Sequence, residues 1–120
     1  MASKLLYRQI HPKFILNDRV TSQAFTPGAG KRLSVYDGDM IAAEEAWKHY
    51  VGMGLRSSGV MAVTKAECGL QNLLVIPDPV DYDEHVVIDF NHLSQRCRKD
   101  AAKHLAGNAN RRGWCYRHAN

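Results

Sequence analysis

Apolar and polar positions alternate at a period of two in several short runs along this chain and switch to a helical period in two others. "KLLYRQI" opens with strand-forming residues, "VTSQAF" and "RLSVY" alternate or are β-rich, and the Pro and Gly of "TPGAGK" mark a loop between the latter two. The first third is therefore expected to be mostly β. "DMIAAEEAWKHY" changes period: Asp39 is placed to cap the first turn, Glu44 and Glu45 lie toward its start, Lys48 and His49 toward its end, and "VGMG" stops it. "GVMAVT" reads as a buried strand running into Thr64-Lys65-Ala66-Glu67, whose spacing is that of a capping box, so a brief helix to about Leu70 follows. "LLVIP" and "HVVIDF" are two strands around an acidic loop, the second with Val86, Ile88 and Phe90 on one face and His85, Val87 and Asp89 on the other.

From about Ser94 to Arg112 the apolar positions Leu93, Cys97, Ala101, Leu105 and Ala109 recur every fourth residue, a narrow stripe suited to lying on a sheet, while Arg96, Lys99 and Lys103 share another face. Gly113 ends this helix and "WCYR" adds an edge strand. The stripe predicts that Leu93, Cys97, Leu105 and Trp114 are largely buried over Val86, Ile88 and Phe90. The order of elements implies one α+β domain over residues 1–120, a mixed sheet with helices packed mainly on one face.

Composition supports a globular chain of this size: 120 residues, 45% hydrophobic and 23% charged, enough for a single core. No apolar run approaches the roughly 18 residues that cross a bilayer, and the start lacks an apolar stretch with a cleavage site, so no membrane association and a cytoplasmic location are expected. Three widely spaced cysteines, Cys68, Cys97 and Cys115, suit thiols in a reducing compartment.

Charge changes the picture more. Lys and Arg are absent from positions 66 to 95, where Glu67, Asp78, Asp81, Asp83, Glu84 and Asp89 fall; from position 96 onward seven cationic residues face the single Asp100. The chain is polarised, and its basic C-terminal helix is a candidate binding face: Arg96, Lys99 and Lys103 along one side, with Arg111 and Arg112 extending the patch toward Trp114 and Tyr116.

The segments "LYRQIHP", "VTSQAF", "LSVYDGDMIAAEEAW" and "EHVVIDF" together resemble a family of short uncharacterised bacterial proteins, over most of the chain from Leu6 to Trp114. The resemblance implies a bacterial, one-domain, cytoplasmic protein and brings no activity with it.

Catalytic chemistry has two starting points. His85 follows directly on the carboxylates of "DPVDYDE", whose field favours the imidazolium form, which makes it a candidate proton carrier; no nucleophile stands beside it in sequence. Arg8 and His11 near the first strand, Ser22 on the second and Glu44 or Glu45 on the helix resemble, in their order, the ADP-ribosyltransferases. In those, an early-strand arginine holds the dinucleotide, a serine supports the cleft and a glutamate at a strand entry steadies the ribose; here the glutamates fall mid-helix.

Three other patterns point to ordinary structure. The acidic loop lacks the central glycine of a calcium loop and is stiffened by Pro77 and Pro79, so a solvated turn is expected rather than a metal site. Cys97, Cys115, His118 and His92 supply only one close pair where tetrahedral zinc uses two. "TPGAGK" lacks the glycine spacing and following helix of a phosphate loop and reads as a turn. No metal or cofactor is expected. The leading expectation is a binding module that presents its basic C-terminal helix to an acidic partner, nucleic acid or protein. The alternative is a small enzyme acting on a nucleotide or phosphate-bearing substrate around Arg8, His11, Ser22 and His85.

Overall fold

The computed structural model describes residues 3–118. Eight strands and three α-helices form: β1 Leu5–Gln9, β2 Ile15–Leu16, β3 Arg19–Val20, β4 Arg32–Asp37, α1 Ala43–Gly52, β5 Gly59–Thr64, α2 Lys65–Leu70, β6 Leu74–Pro77, β7 His85–Asp89, α3 Gln95–Arg112 and β8 Trp114–Arg117. Six strands make one sheet in the order β6-β7-β4-β1-β5-β8, and β2 with β3 makes a separate small hairpin. This is an α+β arrangement, as the pattern of periods implies.

Every neighbouring pair in the sheet is antiparallel, so the sheet is not mixed. The physical reason lies in β1. It pairs with β4 through Leu6↔Asp37 and Tyr7↔Tyr36 and with β5 from Leu5↔Thr64 to Gln9↔Val60. Being antiparallel to both, it sits between two strands that run in the same direction and are joined by α1. A crossover helix is thus present, but its two strands are held apart by the N-terminal strand instead of pairing with each other.

The helices divide between the faces. α3 and α2 lie on the face carrying Leu6, Leu33, Val35, Val63, Val86, Ile88 and Phe90, joined there by the 3-10 turn Ser22–Phe25. α1 lies on the other, over Tyr7, Val60 and Ala62, and packs on β1, β5 and β8. The β4, β7 and β6 half of that second face carries Ser34, Val87 and Ile76 in one row across the strands, because Ser34 pairs with Val87 and Val87 with Ile76.

Local details follow from local chemistry. Thr64 accepts from the Glu67 amide while the Glu67 carboxylate accepts from the Thr64 amide, the expected capping box. Ser94 caps α3, and Gly113, at φ 86°, turns the chain out of it. Gly59 is required by crowding as well as by its φ of 155°: a Cβ there would stand 2.4 Å from the Tyr116 carbonyl oxygen.

Other expectations are corrected. Asp39 does not cap α1; Ala42 holds that position without a side-chain bond, and Asp39 instead follows Asp37, whose carboxylate accepts its amide. "VTSQAF" forms a strand only at Val20 and then a 3-10 turn, so Ser22 does not lie on a strand. The β2–β3 hairpin closes on Asn17 and Asp18, at φ 52° and 62°, a two-residue turn whose residue types tolerate the left-handed region.

On α3, Ala101, Ala102, Leu105, Ala106 and Ala109 are buried, but Cys97 is exposed and Leu93 and Trp114 are only half-buried. A four-residue repeat advances about 40° beyond a full turn at each step of an α-helix, so two steps back from Leu105 the stripe has rotated off the sheet. Arg98, not Cys97, then faces inward in the first turn; it is half-buried and donates to the Leu93 carbonyl oxygen.

Candidate functional site

The basic face is built by the first half of α3 and the loop 26–31. At about 100° per residue, Arg96, Lys99 and Lys103 fall within one 60° arc on the side away from the sheet, and all three are exposed. Arg98 points between α3 and the loop, where Lys31 meets it: Pro27, Gly28, Lys31, Gln95, Arg98 and Lys99 line a pocket of ≈ 200 Å³. A groove of ≈ 370 Å³ adjoins it, lined by Gln95, Arg96, Lys99, Asp100 and Lys103. Gln95 and Lys99 are common to both, so the two are one continuous basic surface. "TPGAGK" is a turn as expected, yet it forms one wall of this pocket, with Lys31 in the left-handed region at φ 56°.

Among the described residues, no carboxylate lies within ion-pair distance of Lys31, Arg96, Arg98, Lys99 or Lys103. Some cations elsewhere are paired, Lys4 with Asp37 at 2.9 Å, Lys48 with Glu44 at 3.2 Å and Arg117 with Asp18 at 2.6 Å; Lys13, Arg19, Arg56 and Lys65 also lack an ion-pair partner among the described residues, but they do not line this pocket and groove. The C-terminal extension of the patch is engaged too. Arg112 faces the sheet, where it donates to both Glu67 oxygens at 3.1 Å and to the Ala62 carbonyl at 2.9 Å; Arg111 lies on a different side of the helix and bonds Asn108. Nor do the nearby aromatic rings offer free faces. Trp114 lies under the Arg117 guanidinium, and Tyr116 packs on Trp47 with ring centroids 5.4 Å apart.

The residues proposed by analogy with ADP-ribosyltransferases do not assemble into one constellation. Arg8 is spent on backbone, donating to the Ala24 carbonyl at 2.7 Å and the Ser34 carbonyl at 3.1 Å, and burial pulls its guanidinium below the ordinary arginine value. His11 Nδ1 accepts from the Lys13 amide, and burial followed by the charges of Lys13 and Arg56 lowers its pKa. The Ser22 carbonyl accepts from Thr26 Oγ1, and Glu44 and Glu45 both reach Lys48.

His85 has a partner that adjacency in sequence does not reveal. β4 pairs with β7 so that Tyr36 stands opposite His85 and Ser34 opposite Val87, which makes Ser34 the diagonal neighbour of His85 on the same face. The Ser34 hydroxyl and His85 Nε2 are 3.1 Å apart. On the other ring nitrogen, Nδ1 lies 2.9 Å from the Asp78 carbonyl oxygen and 3.3 Å from its carboxylate. A carbonyl only accepts, so Nδ1 carries the proton; in the neutral ring Nε2 is then the acceptor and Ser34 Oγ–H the donor. Tyr82 and Tyr36 stack beside this chain of bonds at 5.2 Å, and the Tyr36 hydroxyl is 2.8 Å from His49 Nδ1. Burial, then the neighbouring Tyr82, pushes the Tyr36 phenol well above its usual range, so it remains protonated. Among the described residues, no three His, Cys, Asp or Glu side chains are grouped to hold an ion, and the carboxylates of the acidic loop do not converge.

Sequence periodicity missed Lys31, Arg98, Ser34 and Asp78. The helical angle of Arg98 relative to Leu105 was a usable signal; the meeting of Ser34 with His85 depends on which strands pair, and no local pattern carries that. No family model, curated protein or solved structure matches this chain.

Proposed function

We propose that the chain is a small binding module whose α3 face engages the phosphate groups of nucleic acid. The observation that supports this reading is the continuous surface of Lys31, Arg96, Arg98, Lys99 and Lys103 around two adjoining concavities, with no carboxylate among the described residues within ion-pair distance of any of them. Cations left unpaired on one surface repel each other, and a polyanion relieves that repulsion while releasing its own counterions.

Nucleic acid fits better than an acidic protein because the exposed side of α3 supplies charge without a large apolar side chain to anchor a protein partner. Protein interfaces draw their affinity from buried aromatic and aliphatic side chains and are poor in lysine at their centre. Here the exposed side of α3 offers Arg96, Lys99, Asp100, Lys103 and His104. With Trp114 and Tyr116 occupied in packing, the contacts fall on phosphates, and binding is largely independent of sequence. On this reading the module works in the bacterial cytoplasm, where its three thiols stay reduced. No helix among the described residues is long and apolar enough to cross a membrane.

The test is fluorescence anisotropy with a labelled duplex oligonucleotide. Replacing Arg96, Lys99 and Lys103 together by Gln weakens binding by on the order of tenfold or more at low salt, since three phosphate contacts are lost. Affinity unchanged in that variant, with an unchanged melting temperature, would remove the helix from the binding surface.

A further inference from the structure

A second site stands apart from the basic surface, on the opposite face of the sheet. We propose that Ser34 is a nucleophile, with His85 as its general base and Asp78 as the residue that positions His85, in a site that transfers and hydrolyses a short acyl group carried as an ester.

Two observations support it. The first is the geometry around His85: Ser34 Oγ lies 3.1 Å from Nε2, the Asp78 backbone carbonyl at 2.9 Å from Nδ1 fixes the tautomer that can take a proton from serine, and the Asp78 carboxylate at 3.3 Å faces the charge that the ring then gains. The second is access. Ser34 is exposed while the His85 side chain is only 13% exposed, so the nucleophile meets solvent and its base is held on a packed ring. Tyr82 lies against that ring at 5.0 Å between centroids, and α1 packs mainly on β1, β5 and β8, reaching this half of the sheet through His49 at Tyr36 and Tyr82.

The chemistry balances without a cofactor. Ser34 Oγ attacks the carbonyl carbon of an ester as its proton passes to His85 Nε2; the bond to the leaving oxygen breaks and that oxygen takes the proton, releasing an alcohol. Water then attacks the acyl-serine, gives its proton to Nε2, and the carboxylic acid leaves as Ser34 regains its hydrogen. The acyl group is short, because beside Ser34 the sheet offers a row of only Val87 and Ile76 before its β6 edge.

The experiment treats the intact protein with a fluorophosphonate probe, whose fluoride an activated serine displaces, and maps the adduct by peptide mass spectrometry. p-Nitrophenyl acetate turnover is followed in parallel. One adduct is expected on Ser34, abolished in Ser34→Ala, an exposed position where folding is not at risk. His85→Gln slows labelling at least 100-fold. Asp78→Asn slows it about tenfold, with the loss in kcat rather than in KM, which a purely structural role does not produce. Labelling that is absent from Ser34, or equally fast in His85→Gln, would overturn the proposal. The variant lacking the three α3 cations keeps full labelling, so failure here is distinguishable from failure of the nucleic-acid reading.

Discussion

Cys68 and Cys97 carry the same thiol in opposite surroundings. Cys68 is fully buried in α2 against the core, and burial pushes its thiol up to about 12, whereas Cys97 is exposed on the first turn of α3. A thiol reagent is therefore expected to modify Cys97 in the native protein within minutes and Cys68 only after denaturant is added, as counted by intact mass. Native labelling of Cys68 at a comparable rate would mean that α2 opens freely. By the same reasoning Cys97→Ser leaves stability within about 0.5 kcal/mol, while Leu105→Ala, at 0% exposure, costs about 2–4 kcal/mol in urea unfolding by leaving a cavity beneath α3. The spacing of apolar residues identified Leu105 but assigned Cys97 to the same stripe. A repeat of four drifts around a helix of 3.6 residues per turn, and the inward place in the first turn passes to Arg98, whose guanidinium then becomes part of the pocket with Lys31.

Elements with local causes were legible in the chain, and their energetics can be tested one at a time. The capping box of α2 is also the anchor of α3, since the Glu67 carboxylate that caps one helix receives Arg112 of the other. Burial pushes the Glu67 carboxyl up, but the bonds from Arg112 and Thr64 outweigh it, so its folded pKa lies below the ordinary 4.5. A depressed carboxylate stabilises the fold fully above its unfolded pKa, and that contribution is lost as pH falls from there through the folded value. Glu67→Gln is therefore expected to lower stability near neutral pH by about 1–2 kcal/mol and to flatten the acid side of the stability curve below about pH 5. Urea titrations at several pH values measure both; an acid limb as steep as in the parent would contradict the ion pair. Asn17-Asp18 was an overlooked local signal, a two-residue hairpin turn. What no local pattern held was the insertion of β1 between β4 and β5, because that pairing joins the start of the chain to its middle. The site at Ser34 and His85 depends on another long-range pairing, that of β4 with β7, which is why His85 stood out in the sequence and its partner did not.

At the scale of the whole molecule, charge and topology coincide. α3 carries its cations on one face of the sheet, and the acidic loop 78–84 packs through Tyr82 against Tyr36 and His49 on the face covered by α1. On the proposed reading a polyanion approaching the protein is drawn to the first and turned from the second, which sets its orientation before contact. On that reading Lys31, Arg96, Arg98, Lys99 and Lys103 contact phosphates, and counterion release counts such contacts directly. The decisive measurement is the salt dependence of duplex DNA binding, plotted as log affinity against log salt, for the parent and for the protein with Arg96, Lys99 and Lys103 replaced by Gln. Each phosphate contact contributes about −0.9 to the slope, so the five cations predict a parent slope of about −4.5 and a variant slope of about −1.8. Parallel lines for the two proteins would contradict the assignment of α3 as the binding face.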